Sequence, residues 1–173
     1  MFMEECPMYS RRQLLLASGG LGVAVLAGGL LKQLDLVTEA EAAEPFEVTH
    51  TDAQWRSLLT AEQYEILREE GTERPYTSAL NDEHRAGTFA CAGCALPLFS
   101  SATKFNSHTG WPSFWQPLDN AVASRRDTSY GVVRKEIHCR RCGGHQGHVF
   151  DDGPQPTGLR YCMNGAAMTF TAA

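Results

Sequence analysis

Five cysteines between residues 91 and 162 carry most of the chemistry open to this chain. Four form two C-x-x-C pairs, Cys91-Ala-Gly-Cys94 and Cys139-Arg-Arg-Cys142, separated by the 44 residues from Ala95 to His138. Two residues between thiolates let one tight turn aim both sulfurs at a single ion. Two such turns complete the tetrahedral sulfur set of a structural zinc. Gly93 and Gly143-Gly144 supply backbone freedom for these turns. The competing reading is two redox-active dithiols or disulfides. Two pairs, each opening a turn after a β-like stretch, favour one structural zinc ion per chain, with iron the less favoured metal. A closed four-sulfur site leaves no vacant position for a substrate, which argues against an open-site metal hydrolase or lyase.

Cys162 stands outside both pairs, in Leu159-Arg160-Tyr161-Cys162-Met163-Asn164-Gly165. In a strand, residues two apart share a face, so Arg160 and Asn164 accompany the thiol. A guanidinium beside a thiol lowers the cost of the thiolate and raises its reactivity. A buried, inert cysteine is the bland alternative. Upstream, Gly144-His145-Gln146-Gly147-His148 runs into Asp151-Asp152. With the four-cysteine set already complete, these histidines and carboxylates are better used as acid and base than as ligands. Gly110-Trp111-Pro112-Ser113-Phe114-Trp115 is a dense aromatic cluster, part core and part a pocket for an apolar group, with Trp111 and Phe114 the candidates to line it.

The elements that must position these groups are short. Thr51-x-x-Gln54 and Thr60-x-x-Gln63 fit the capping box, so two short helices are expected, the second stopping at Gly71. After Gly87, short β-prone stretches follow at 88–90, 121–123, 130–133, 136–138, 148–150, 159–162 and 168–170, punctuated by Gly, Pro, Asn and Asp. No segment between them is long and periodic enough for a crossover helix. The fold class expected is therefore mainly β, an antiparallel sheet domain with short N-terminal helices. The chain has 173 residues, 43% hydrophobic and 20% charged, with a net charge of −5. That is the composition of one ordinary folded domain, and the acidic balance argues against a nucleic-acid partner.

Arg11-Arg12 stand before a glycine-rich apolar run, Leu14 to Leu31, and Ala40-Glu41-Ala42-Ala43 follows. Basic region, apolar region and small-residue site are the order of an export signal. The paired arginines resemble the twin-arginine type, which is read by a transporter of folded proteins. The expectation is a signal over residues 1–43, a catalytic domain over 44–173, and a periplasmic or other extracytoplasmic location; a retained membrane anchor is the competing reading. Cutting after Ala43 removes Cys6 and leaves five cysteines, an odd number that excludes complete internal pairing.

Gly110-Trp-Pro-Ser-Phe114, Gly144-His-Gln-Gly-His-Val-Phe-Asp-Asp-Gly-Pro154 and Arg160-Tyr-Cys-Met-Asn-Gly165, set around two C-x-x-C pairs, together resemble the methionine-R-sulfoxide reductases over roughly residues 50–171. The resemblance implies an antiparallel β domain with zinc on the side away from the active site. It implies that Cys162 attacks the sulfoxide sulfur of oxidised proteins or peptides and becomes a sulfenic acid, that His145 and His148 supply the proton, and that Asp152 orients this network. It also implies that Arg160 holds the thiolate, Asn164 polarises the S=O bond and Trp111 receives the substrate's methyl group. One departure stands out. Many family members read Ser-Gly-Cys-Gly-Trp-Pro-Ser-Phe, where the cysteine resolves the sulfenic acid; here Ser107-His108-Thr109-Gly110-Trp111 places Thr109 at that position. A thioredoxin-like or other external thiol is then the expected reductant, and the chain is expected to act as a monomer.

Overall fold

Two threonine caps start the helices. In the computed structural model, which describes residues 46–173, Thr51 precedes α1 (Asp52–Leu58) and Thr60 precedes α2 (Ala61–Glu69). Each threonine side chain accepts from the glutamine N–H three residues on, and each glutamine side chain accepts from the threonine N–H in return. Each cap contributes about 1 kcal/mol. Trp55, Tyr64, Ile66 and Leu67 turn inward. α2 ends at Glu69 because Glu70 takes a left-handed conformation (φ 59°), and the Gly71 N–H closes onto the Glu65 carbonyl. The expected export signal, residues 1–43, lies outside the described residues.

Nine strands follow among the described residues, in two antiparallel sheets. The smaller has the order β2-β1-β9, built from β1 (Gly87–Cys91), β2 (Pro97–Ser100) and β9 (Met168–Ala172). The larger has the order β3-β4-β8-β7-β6-β5: β3 (Lys104–Phe105), β4 (Ser113–Phe114), β5 (Val122–Asp127), β6 (Arg134–Cys139), β7 (His145–Phe150) and β8 (Arg160–Met163). The mainly-β, antiparallel expectation therefore holds. Residues 130–133 are a correction: Ser129–Gly131 is a 3-10 turn, and Val132 and Val133 are 60% and 62% exposed. Among the described residues no strand pairs with Val132 or Val133. Strands β2, β3 and β4, two to four residues long, are too short to leave an alternating pattern in the sequence.

Aromatic rings from the two sheets meet in the core. Phe99 stacks on Phe114 with centroids 4.3 Å apart, and Phe89 meets Phe114 edge-on at 5.0 Å. All three are fully buried, and burying each such ring is worth about 2 kcal/mol. This core fixes the register of β4 against β8, and of β8 against β7, and so places the next residue along each strand on the opposite face. There Ser113 lies opposite Cys162, and Cys162 opposite His148.

Candidate active site and metal centre

The four paired cysteines converge. Their sulfurs all lie within 4.8 Å of one another, with Cys91 to Cys142 at 3.7 Å and Cys94 to Cys139 at 3.5 Å. Four thiolates around zinc at about 2.3 Å would stand about 3.8 Å apart, so the donor set fits a tetrahedral ion. The two turns are equivalent: the Ala95 N–H donates to the Cys91 carbonyl at 2.8 Å, and the Gly143 N–H to the Cys139 carbonyl at 2.9 Å. Ala95 (φ 57°) and Gly143 (φ 69°) are the left-handed residues. In the first turn the strained position is thus Ala95 and not Gly93, because it follows the second cysteine. Hydrogen bonding among the sulfurs, chiefly to Cys139, drives Cys91 and Cys142 to keep their protons and Cys94 to lose its own. Four negative sulfurs cannot stand this close without a cation, and a divalent metal removes the conflict.

Cys162 is half-buried and opens onto a cavity of about 130 Å³ shared with Trp111, His148, Phe150, Arg134 and Asn164. Gly147 is required here. Its φ is 152°, and a Cβ would fall 2.1 Å from the Cys162 carbonyl oxygen. Arg160 lies over the Phe150 ring at 4.4 Å and donates from Nε and Nη2 to Asp152, each at 2.8 Å. The Asp152 carboxylate first, and the Cys162 sulfur after it, hold the guanidinium above its ordinary value. The charged group expected beside the thiol is in place.

Each histidine is held by a carboxylate from a different strand. His148 Nε2 lies 2.8 Å from Asp127 Oδ2, an oxygen that also accepts from Arg134 at 2.7 Å. Hydrogen bonds from Ser129 and His148 hold the Asp127 carboxyl well below the usual range. Burial lowers the His148 pKa, and the bond to Asp127 opposes that shift. His145, 2% exposed, places Nδ1 2.8 Å from Oε1 of Glu136, which is itself 1% exposed. The second oxygen of Glu136 takes His138 at 3.3 Å and Arg125 Nε at 2.5 Å. Burial pushes the Glu136 carboxyl up, but hydrogen bonds from His138 and His145 and the Arg125 charge outweigh it and hold the group at about 2.

Glu73 gathers the other wall. Its N–H donates to Asn164 Oδ1 at 3.0 Å, and its carbonyl accepts from Trp111 Nε1 at 3.1 Å. Its buried carboxylate accepts from the N–H groups of Gly165 and Ala166 at 2.6 and 2.8 Å. Burial raises the Glu73 carboxyl despite these donors. On the far side a chain of hydroxyls runs from Ser113 through Ser107 to Thr109, in steps of 2.7 and 2.8 Å, and Thr109 Oγ1 ends 3.8 Å from Cys162 Sγ.

This arrangement has close relatives. A family model described as the SelR domain matches residues 59–172. The chain belongs to the SelR-domain family. Proteins named peptide methionine sulfoxide reductase MsrB are 58% identical to it over 121 residues in Thiobacillus denitrificans, 54% over 125 residues in Agrobacterium fabrum and 53% over 126 residues in Leptospira interrogans. These alignments take in 69%, 72% and 72% of this chain, and 92%, 93% and 96% of those relatives.

Within this SelR domain, Cys162, His148, Arg160, Asn164 and Trp111 meet around one cavity or hold what lines it. Phe114 does not. Its ring is 0% exposed and stacked on Phe99, because β4 turns Ser113 to the site and Phe114 to the core. Phe150 is the aromatic that lines the cavity beside Trp111. Asp152 is reassigned within the network. Its side chain is 60% exposed and grips Arg160, while the histidines are oriented by Asp127 and Glu136. Sequence reasoning misses those two carboxylates and Glu73 as site residues. The one signal for Glu136 is a charged residue in a strand whose neighbour Ile137 belongs to the core; Asp127 and Glu73 have none.

Proposed function

We propose that this SelR protein is a peptide methionine sulfoxide reductase that reduces the R epimer of methionine sulfoxide in peptides or proteins. The observation that carries the reading is the half-buried Cys162 thiol set between Arg160 and the Asp127-bound His148 at a cavity walled by Trp111 and Phe150. The aromatic rings take the substrate's methyl group, and the Arg160 guanidinium sets a positive charge beside the sulfur. The Cys162 sulfur attacks the sulfoxide sulfur while the sulfoxide oxygen is protonated, since that oxygen leaves poorly without a proton. His148 is the acid: Asp127 engages Nε2 and leaves Nδ1 for the substrate. His145, sealed against Glu136, supports it from behind, with the two rings 5.4 Å apart. The oxygen passes to Cys162, giving a sulfenic acid and the thioether of methionine. Asn164 is fixed through both ends of its amide by Glu73 and Gln146, and it presents the remaining Nδ2 proton to the oxygen.

Two external thiols return the enzyme to its starting state. One displaces water from the sulfenic acid to form a mixed disulfide, and the second releases Cys162 as a thiol together with the external disulfide. Thr109 supports this reading, because it occupies the place beside Cys162 from which an internal thiol would act. The metal held by Cys91, Cys94, Cys139 and Cys142 is zinc in this reading, and its role is structural. The order of residues 10–43 supports export, which would make the reductant an extracytoplasmic, thioredoxin-like or small thiol.

Turnover of separated R and S epimers of a methionine sulfoxide peptide, with several thiol donors, tests the proposal. The R epimer alone is consumed, and one equivalent without reductant leaves a dimedone-reactive Cys162. Preference for the S epimer overturns the substrate assignment, and a disulfide from Cys162 to any of the four paired cysteines overturns the recycling scheme.

A further inference from the structure

Gln146 lies between the two sites and touches both. It is fully buried on β7, one residue after His145 and two before His148. Its side-chain Nε2 lies 3.5 Å from Cys91 Sγ and 3.3 Å from the Gly144 carbonyl. Its own carbonyl accepts from the Asn164 N–H at 2.8 Å and from Asn164 Nδ2 at 3.2 Å. A buried amide is costly unless its protons find acceptors, and here one sulfur and one carbonyl take them. The reverse orientation of the amide would set Oε1 against a sulfur that is anionic once a metal is bound.

We infer that Gln146 belongs to the metal centre: its amide donates a hydrogen bond to the Cys91 thiolate and stabilises the metal-loaded state, and its carbonyl ties that centre to Asn164 beside Cys162. The inference rests on the four-cysteine set binding a metal. An N–H aimed at a metal-bound thiolate draws charge off the sulfur, orients it and slows loss of the ion. Among the four sulfurs it is Cys91 that Gln146 reaches, as a neutral donor 3.5 Å away.

The test uses the whole chain loaded with zinc, cobalt(II) or cadmium-113, compared with Gln146→Leu, which keeps the volume and removes the donor. Zinc affinity, measured by competition with a chromophoric chelator, falls roughly ten- to a hundredfold in the variant. The thiolate-to-cobalt charge-transfer band moves to lower energy, because the sulfur regains electron density. In the wild-type cadmium protein the Gln146 side-chain amide proton shows scalar coupling to cadmium-113, a measurement that stands even where Gln146→Leu fails to fold. A folded variant with unchanged affinity and an unchanged cobalt band overturns the inference, as does the absence of that coupling. A wild-type chain that takes up no metal overturns the metal centre itself, and the role of Gln146 with it.

Discussion

The four sulfurs of the candidate metal centre come from two equivalent turns, whereas the candidate active site is collected from at least six separate stretches of chain. Cys91 to Ala95 and Cys139 to Gly143 repeat one local geometry, down to the hydrogen bond that closes each turn. The active site takes its thiol from β8, its histidines from β7, and their carboxylates from β5 and β6. Its indole comes from the segment before β4, and its buried clamp, Glu73, from the loop after α2. A ligand set written in local turns and joined through one ion is expected to be lost all at once when that ion goes. A site written in sheet register keeps its frame when the thiol is removed, and the loss there falls on rate. Breaking each region should therefore look different.

The largest effect belongs to the metal. Cys91→Ser, or stripping the ion with a strong chelator, removes folding free energy on the order of 10 kcal/mol. Far-ultraviolet circular dichroism and metal analysis should show loss of structure and of the ion together; a folded, active, metal-free variant refutes the structural role. Cys162→Ser should do the opposite. Turnover falls below about one-thousandth of wild type while the thermal midpoint and metal content stay put, as expected for loss of a nucleophile. Substantial residual turnover would remove Cys162 from its role.

Glu136 tests whether the carboxylates behind the histidines are also structural. Its folded-state pKa, held at about 2 against an ordinary 4.5, means that its stabilisation is complete above 4.5 and is lost as the pH falls towards 2. The amount is roughly 3 kcal/mol. Denaturant unfolding at a series of pH values should show this acid-side loss in the wild type and a flatter profile in Glu136→Gln. The smallest effect is expected at Asp127. The bond from Asp127 opposes the lowering of His148 by burial, so Asp127→Asn lets the His148 pKa fall further. The alkaline limb of kcat/KM then moves to lower pH, with roughly tenfold less activity at neutral pH. A limb that stays where it is, or moves upward, assigns the proton to another group.

The same contrast separates what is legible in the sequence from what is not. Paired cysteines are legible because two residues of spacing dictate a turn, and the capping boxes at Thr51 and Thr60 are legible for the same reason. Arg160 and Asn164 fall beside Cys162 because a strand repeats every two residues. Phe114 is misplaced by its sequence because that same alternation in β4 is hidden in a two-residue strand inside an aromatic cluster. Asp127 and Glu136 reach the histidines only through the pairing of β5, β6 and β7, and that pairing is a property of the assembled sheet. Asp151 and Asp152 are nearer in sequence, but the loop after β7 carries Asp152 to Arg160 instead.

The threonine at 109 sets the mechanical character of the catalytic cycle. A partner that forms a covalent bridge to Cys162 would have to give up its ties, first to Ser107 and, through it, to Ser113, and then recover them at every turnover. With a hydroxyl there, the recycling proposed above calls for no such loop excursion, and Tyr76 braces the same loop at His108 and Gly110. In the proposed cycle one sulfur atom changes oxidation state, and none of these hydrogen bonds has to break for it to do so. If the proposed external-thiol route holds, turnover should follow the concentration and nucleophilicity of the thiols that can reach a half-buried sulfur, and not the time a loop takes to rearrange.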